Sequence, residues 1–285
     1  MPKSQPIIIL TTGRTGSSLL QHLLNTSDEL VIWGEHMGFL RSLSEAHNLI
    51  EKCPWIDADS ARGEWLLKDH RDIDPKRWTA WDGSFSKQEF LDGLRLLTNH
   101  LFARDIREDQ RWGFKEIRYR KFELVQFINE LYPEAQFILL LRNPVDVCAS
   151  FTSIKSKKFL NEGEDEWDLV QTAREIANEQ IKLFFKTCVE TWHRFQRSTQ
   201  FVFYEDLVHD SFHVMENLAR FLELKKGFPR QSVELITSKD LVSQRAVTEQ
   251  AAMREIKEAC SHCLQPEIHW YEQLRNNPAK VQEVK

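Results

Sequence analysis

Gly13-Arg14-Thr15-Gly16-Ser17-Ser18 packs an arginine, three hydroxyls and two glycines into six residues. That set suits an oxyanion. Arginine offers a fixed planar charge, the hydroxyls donate hydrogen bonds, and glycines let backbone N–H groups close on one spot. The flanks make the placement plausible in physical terms. Ile7-Ile8-Ile9-Leu10 reads as a buried parallel strand, and Leu19, Leu20, Leu23 and Leu24 recur at helical spacing. A strand, a glycine-bearing turn and a helix N-terminus together cradle a phosphate or sulfate. The turn is not a Walker A loop, which needs G-x-x-x-x-G-K-[ST]. Here the glycines are closer and Arg14 precedes the second one.

A second anion-binding set follows another apolar run. Phe137-Ile138-Leu139-Leu140-Leu141 ends in Arg142-Asn143-Pro144-Val145-Asp146-Val147-Cys148-Ala149-Ser150. Asn143 can cap a helix, Pro144 suits its first position, and Asp146 sits where a first-turn acid belongs. Arg142 then emerges at a strand end beside a helix N-terminus, with Ser150 under two turns on. The bland alternative is an Arg paired with a nearby acid and a Ser bonded to its own helix.

These two motifs resemble those of the sulfotransferase family that uses 3′-phosphoadenosine-5′-phosphosulfate (PAPS). Residues 13–18 resemble its 5′-phosphosulfate loop, in which Lys or Arg stands three residues before a Ser/Thr pair. Residues 142–150 match every specified position of its 3′-phosphate motif, R-[DN]-P-x-x-x-x-x-S. Phe203-Tyr204-Glu205-Asp206-Leu207 is similar to the sequence that ends the family's fifth strand. The resemblance spans residues 7 to about 222 and fades in the last 60 or so.

What the resemblance implies is sulfuryl transfer from PAPS to a hydroxyl or amine of a small-molecule acceptor, a secondary metabolite being the first expectation. No metal and no nucleic acid is expected to take part. Arg14, Thr15, Gly16, Ser17 and Ser18 would hold the 5′ side of the nucleotide, and Arg142 and Ser150 the 3′-phosphate. Tyr204 would stack on or hydrogen-bond the nucleotide, and Arg245, Lys239 or Ser243 would reach the 3′-phosphate from a covering segment. Arg14 also bridges the leaving phosphate, and Lys115 holds the sulfonate. For the base, the family offers a His branch and a branch with Glu just after the second strand, which includes tyrosylprotein and bacterial carbohydrate enzymes. Val31-Ile32-Trp33-Gly34-Glu35-His36 places Glu35 first and His36 second. Glu116 and Arg118 either touch the acceptor or pair with each other. Two rivals stay open: a small-molecule or nucleotide kinase built on the same strand–loop–helix, and a nucleotide-binding module without catalysis.

The elements needed to position these residues can be read from periodicity. Apolar runs at 6–11, 30–33, 111–115, 136–141 and 200–204 read as strands separated by helical patterns. That alternation predicts one α/β domain over 1–285, a parallel sheet of about five strands with helices on both faces. A helix is expected over 36–51, a solvated loop over 155–165, and a long helix from about 166 to 197. Residues 225–285 read as a C-terminal helical segment. Residues 52–85 look like an insertion on the acceptor side. Their Trp55, Trp65, Trp78 and Trp81 stand among several Asp residues and favour a cationic or aromatic acceptor.

Composition sets the class. The 285 residues are 41% hydrophobic and 28% charged, with a net charge of −5, which is ordinary for a globular chain and argues against a nucleic-acid-coating protein. No apolar run reaches membrane-spanning length, and the first strand begins too early for a signal peptide, so a cytoplasmic location is expected. Five cysteines without a secretory signal imply free thiols. Cys260-Ser261-His262-Cys263 has local metal-like spacing but reads better as a helix carrying two thiols. Oligomeric state is left open.

Overall fold

The structure, a computed structural model, describes residues 5–57, 85–162, 168–243 and 250–276. Its centre is a five-stranded sheet in the order β2-β3-β1-β4-β5. The strands are β1 (Ile7–Leu10), β2 (Leu30–Trp33), β3 (Arg111–Glu116), β4 (Gln136–Leu141) and β5 (Thr199–Phe203). Every pairing is parallel. β1 lies in the middle, which is why its four apolar residues have no solvent-facing side and are all 0% exposed.

The pleat splits these residues between two helix layers. Ile7 and Ile9 join Ile32, Ile138, Leu140 and Val202 under one layer. That layer contains α1 (Ser17–Leu24), α8 (Tyr204–His209), α9 (Ser211–Phe221) and α10 (Arg230–Ser243). Ile8 and Leu10 join Phe114, Phe137, Leu139 and Phe203 under the other. There sit α2 (Leu40–Lys52), α3 (Lys87–Phe102), α4 (Phe122–Leu131), α5 (Pro144–Glu162), α6 (Leu169–Ile176), α7 (Leu183–Phe195), α11 (Gln250–Cys263) and α12 (Gln265–Asn276). Single α/β domain, five parallel strands and helices on both faces are as the sequence predicts.

The topology also fixes where a ligand can enter. β1 and β4 are neighbours, yet the chain leaving β1 goes to one layer through α1, and the chain leaving β4 goes to the other through α5. Two connections diverging from adjacent strand ends open a crevice at the C-terminal edge of the sheet. Arg14 and Arg142 stand on its two sides.

Three local expectations are corrected. The helix expected from residue 36 begins at Leu40. Met37 and Gly38 adopt left-handed conformations, with φ of 61° and 70°, and no right-handed helix passes through them. The loop expected over 155–165 is helical as far as Glu162, because Lys155-Ser156-Lys157-Lys158-Phe159 contains no breaker and α5 simply continues. The helix expected over 166–197 starts after Asp168, whose carboxylate accepts from the Val170 and Gln171 amides, and is interrupted by a π-helical segment at Ala177–Lys182. Most of the 52–85 insertion lies outside the described residues. Among the described residues no helix is long and apolar enough to cross a membrane. None of the five cysteines, all among the described residues, is in a disulfide; Cys260 and Cys263 sit on α11, Cys260 buried and Cys263 half-buried.

Gly113 sits where β3 is squeezed between β1 and β2. A Cβ there would stand 2.2 Å from the Ile7 carbonyl oxygen, a backbone atom that cannot turn away. Gly113→Ala is therefore expected to destabilise the fold by about 1–3 kcal/mol, the range of an overpacked core, and urea unfolding measures it.

Candidate active site

The β1–α1 loop is shaped by backbone rather than by side chains. Arg14 and Gly16 have φ of 68° and 84°, so the chain turns back on itself and starts α1. Gly16 is required twice over. It is left-handed, and a Cβ would lie 2.3 Å from the Tyr204 ring. The Thr15 hydroxyl is drawn into the loop, 2.8 Å from the Thr12 carbonyl and 2.5 Å from the Thr11 hydroxyl. The hydroxyl that the sequence suggested as a donor to a ligand is thus already used within the loop. Ser18 is exposed, and Ser17 is buried with its hydroxyl 3.4 Å from Lys115 Nζ.

The two motifs meet across the crevice. Arg14 Nε donates to Ser150 Oγ at 3.0 Å, and Arg142 donates to the Arg14 carbonyl at 3.0 Å. The Arg142 guanidinium lies 4.6 Å over the Tyr204 ring. Residues from β1, β4, α5 and α8, as much as 190 positions apart in sequence, thus share one site. Asn143 caps α5 as expected, accepting from the Val145 amide at 2.9 Å. Asp146 instead pairs with Lys257 on α11 at 2.6 Å. Glu205 and Asp206 reach out of their own helix. Glu205 accepts from the Asn143 amide at 2.9 Å and from the Tyr271 hydroxyl, and Asp206 pairs with Arg275. Arg245 lies outside the described residues, as do the side chains of Lys239 and Ser243.

The second half of the site stands at the ends of β2 and β3. Glu35 Oε1 is 2.7 Å from Lys115 Nζ, and its Oε2 is 3.0 Å from Arg118. Burial raises the Glu35 pKa, but the hydrogen bonds and charges of Lys115 and then Arg118 outweigh it, leaving the carboxyl below its ordinary 4.5. His36 faces the other way. Its ring packs among Phe39, Phe102 and Phe114 with centroids 4.6–5.4 Å off, and lies 3.2 Å from the Tyr119 hydroxyl. Burial lowers its pKa, only partly opposed by Glu116, and so favours the neutral ring at pH 7.

Glu116 is the residue that sequence reasoning placed but did not understand. It pairs with Arg118 at 2.7 Å, one of the two expected outcomes. It is also 0% exposed and accepts from four amides: His36 at 3.2 Å, Gly38 at 2.8 Å, Ile117 at 2.9 Å and Arg118 at 3.2 Å. The signal was the Gly34–Gly38 turn, whose tight path leaves amides that need an acceptor. From the other side, the Asn25 side chain brackets Ile32, accepting from its amide at 2.7 Å and donating to its carbonyl at 2.9 Å. β2 is thereby held just before Glu35.

Fold and site together define a doubly layered parallel α/β protein with a two-arginine crevice and an adjoining carboxylate–lysine pair. The chain belongs to the sulfotransferase family, whose model matches residues 6–229. No curated protein matches the sequence. Among solved structures, the sulfotransferase STF9 from Mycobacterium avium aligns over 100% of this chain and 79% of its own, with TM-score 0.51 and 13% identity. The sulfotransferase domain from the curacin biosynthetic pathway aligns over 90% and 97%, with TM-score 0.50 and 16% identity. The sulfotransferase domain of the Synechococcus PCC 7002 olefin synthase aligns over 90% and 94%, with TM-score 0.47 and 17% identity. At such identities the likeness of the first two is one of fold.

Lys115→Met tests the electrostatics of the pair. With its main partner gone, burial dominates and the Glu35 pKa should rise, as carboxyl NMR would show. The sign for stability follows from linkage. A lowered folded pKa contributes stability that is present above about 4.5 and lost as pH falls through the folded value. Lys115→Met should flatten that part of the acid-stability profile.

Proposed function

We propose that this chain transfers a sulfuryl group from PAPS to a hydroxyl or amine of a small-molecule acceptor, such as a secondary metabolite. The observation that carries the reading is the contact between the two motifs. Arg14 reaches Ser150, and Arg142 reaches the Arg14 carbonyl, both at 3.0 Å, so the groups matched to the 5′ and 3′ ends of one nucleotide share one crevice. The residues present fit such a co-substrate. Left-handed Gly16 leads the loop into α1, Tyr204 offers a ring beside it, and Arg142 already lies over that ring.

PAPS supplies the sulfuryl group and leaves as adenosine 3′,5′-bisphosphate. Arg14, the loop amides of Thr15 to Ser18 and the Ser17 hydroxyl hold its 5′ side and stabilise charge on the departing phosphate oxygen. Arg142 and Ser150 hold the 3′-phosphate. Lys115 stands between Ser17 and Glu35, at 3.4 and 2.7 Å, and so can hold sulfonate oxygens on one side and the base on the other. Glu35 takes the acceptor proton. Its Lys115 bond is a ground-state pairing, and a sulfonate drawing Lys115 towards itself leaves the carboxylate a better base. His36 is turned into aromatic packing and is not in position to compete.

Two measurements test this. Adenosine 3′,5′-bisphosphate should raise the melting temperature much more than 5′-AMP does, and Arg142→Ala should remove most of that difference. A charge-assisted hydrogen bond of this kind contributes roughly 1.5–3 kcal/mol. Equal shifts by both nucleotides in the unmodified protein would refute the 3′-phosphate site. Glu35→Gln should leave nucleotide binding intact and lower turnover of labelled PAPS by about 10²–10⁴, the usual worth of a general base. A turnover that barely changes would make Glu35 a structural partner of Lys115 and Arg118.

A further inference from the structure

The chain leaving β3 carries Arg118 and Arg120 on either side of Tyr119, which is 0% exposed and fills the core under His36. Arg120 follows Arg118 by two residues, at most about 7 Å along the backbone, and feels the charge of the guanidinium that touches Glu35. The two arginines are supplied very differently. Arg118 has Glu35 and Glu116 at 3.0 and 2.7 Å. The Arg120 side chain has one hydrogen bond among the described residues, at 3.4 Å to the Gln180 side chain, and its Nε is buried without a partner.

Two other half-buried guanidiniums in this protein, those of Arg111 and Arg95, are better supplied. Arg111 donates to Gln5, Leu222 and Gln136 at 2.7–3.1 Å. Arg95 donates to Asp92, Leu131 and Glu130. A guanidinium has five donors and keeps its charge, so burying it with one long bond is costly. Burial lowers the Arg120 pKa and Arg118 lowers it further, with Glu179 and Glu116 opposing only in part. Its single partner sits in the π-helical segment Ala177–Lys182, a distortion that often accompanies function.

We infer that Arg120 receives an anionic group carried by the acceptor, a carboxylate, phosphate or sulfate a short distance from the hydroxyl or amine that is sulfated. This rests on the sulfotransferase reading above and sharpens it. It assigns the acceptor a charge opposite to the one suggested by the acidic, Trp-rich stretch at 52–85. Arg120 makes a forked ion pair with that group and turns the reacting atom towards Glu35, while Gln180 steadies the guanidinium. Arg118 cannot serve in its place, being committed to two carboxylates.

The test uses the full chain saturated with adenosine 3′,5′-bisphosphate, so that added anions do not compete for the nucleotide site. Millimolar inorganic sulfate should give a saturable rise in melting temperature that is absent in Arg120→Gln and partly kept in Arg120→Lys. Ligand-free Arg120→Gln should be at least as stable as the unmodified protein, because it removes an underpaired charge. Transfer from labelled PAPS is then compared across matched pairs, 4-hydroxybenzoate with 4-hydroxybenzyl alcohol and glucuronate with glucose. Within any pair that is turned over, the anionic member should lead by tenfold or more, and Arg120→Gln should abolish that lead. A variant that loses several degrees without ligand would make Arg120 a structural residue. So would an unchanged sulfate response, and either result overturns the inference. A saturable sulfate response with a preference for the neutral member would reduce the site to one for free anions and overturn its acceptor role. Failure of the sulfotransferase reading looks different: adenosine 3′,5′-bisphosphate itself would give no shift.

Discussion

A carboxylate with no access to water holds together the corner where β2 and β3 end. Glu116 ends the third strand, and its charge is balanced not by one lysine or arginine but by four backbone amides and the Arg118 guanidinium. Two of those amides belong to the turn after the second strand and two to the exit of its own strand. The group therefore ties the two chain exits into one rigid corner. A buried charge is tolerable only when it is so fully solvated by the protein, and the same solvation dictates where Glu35, Lys115 and Arg118 stand.

The opposite half of the crevice is organised by divergence. The connections after β1 and β4 part to opposite layers, and what closes the gap between them is a pair of arginines bonded to one another's segments. Each arginine bond joins residues well over a hundred positions apart, which makes the anion site a product of topology as much as of motif. Tyr204 at the end of β5 completes it by lying against the one glycine of the loop that no other residue can replace without strain.

Much of this was legible in the sequence because it is locally encoded. An all-apolar run of four marked the central strand, Asn143-Pro144 marked a helix start, and the glycine spacing marked the first turn. Glu35 and Lys115, singled out by the family resemblance, do meet at the ends of β2 and β3. The reading went wrong where local pattern and tertiary need diverge. Met37 and Gly38 delay α2, since the turn must present amides to Glu116, eighty residues away. The Thr15 hydroxyl serves its own loop. Arg120 meets Gln180 across 60 residues, through a π-helical register that no periodicity in the sequence announces.

The last described helix has a consequence of its own. The family model's match stops at residue 229, but the wiring does not. Tyr271 on α12 bonds Glu205, Glu205 bonds the Asn143 amide, Arg275 holds Asp206, and Lys257 holds Asp146. Trp270, Tyr271 and Leu274 are also part of the buried core. The stretch that the family model matches is thus shorter than the unit that is wired together. A gene fragment trimmed to that stretch would keep every residue of the two motifs, yet it would cut the struts that brace the second one from behind.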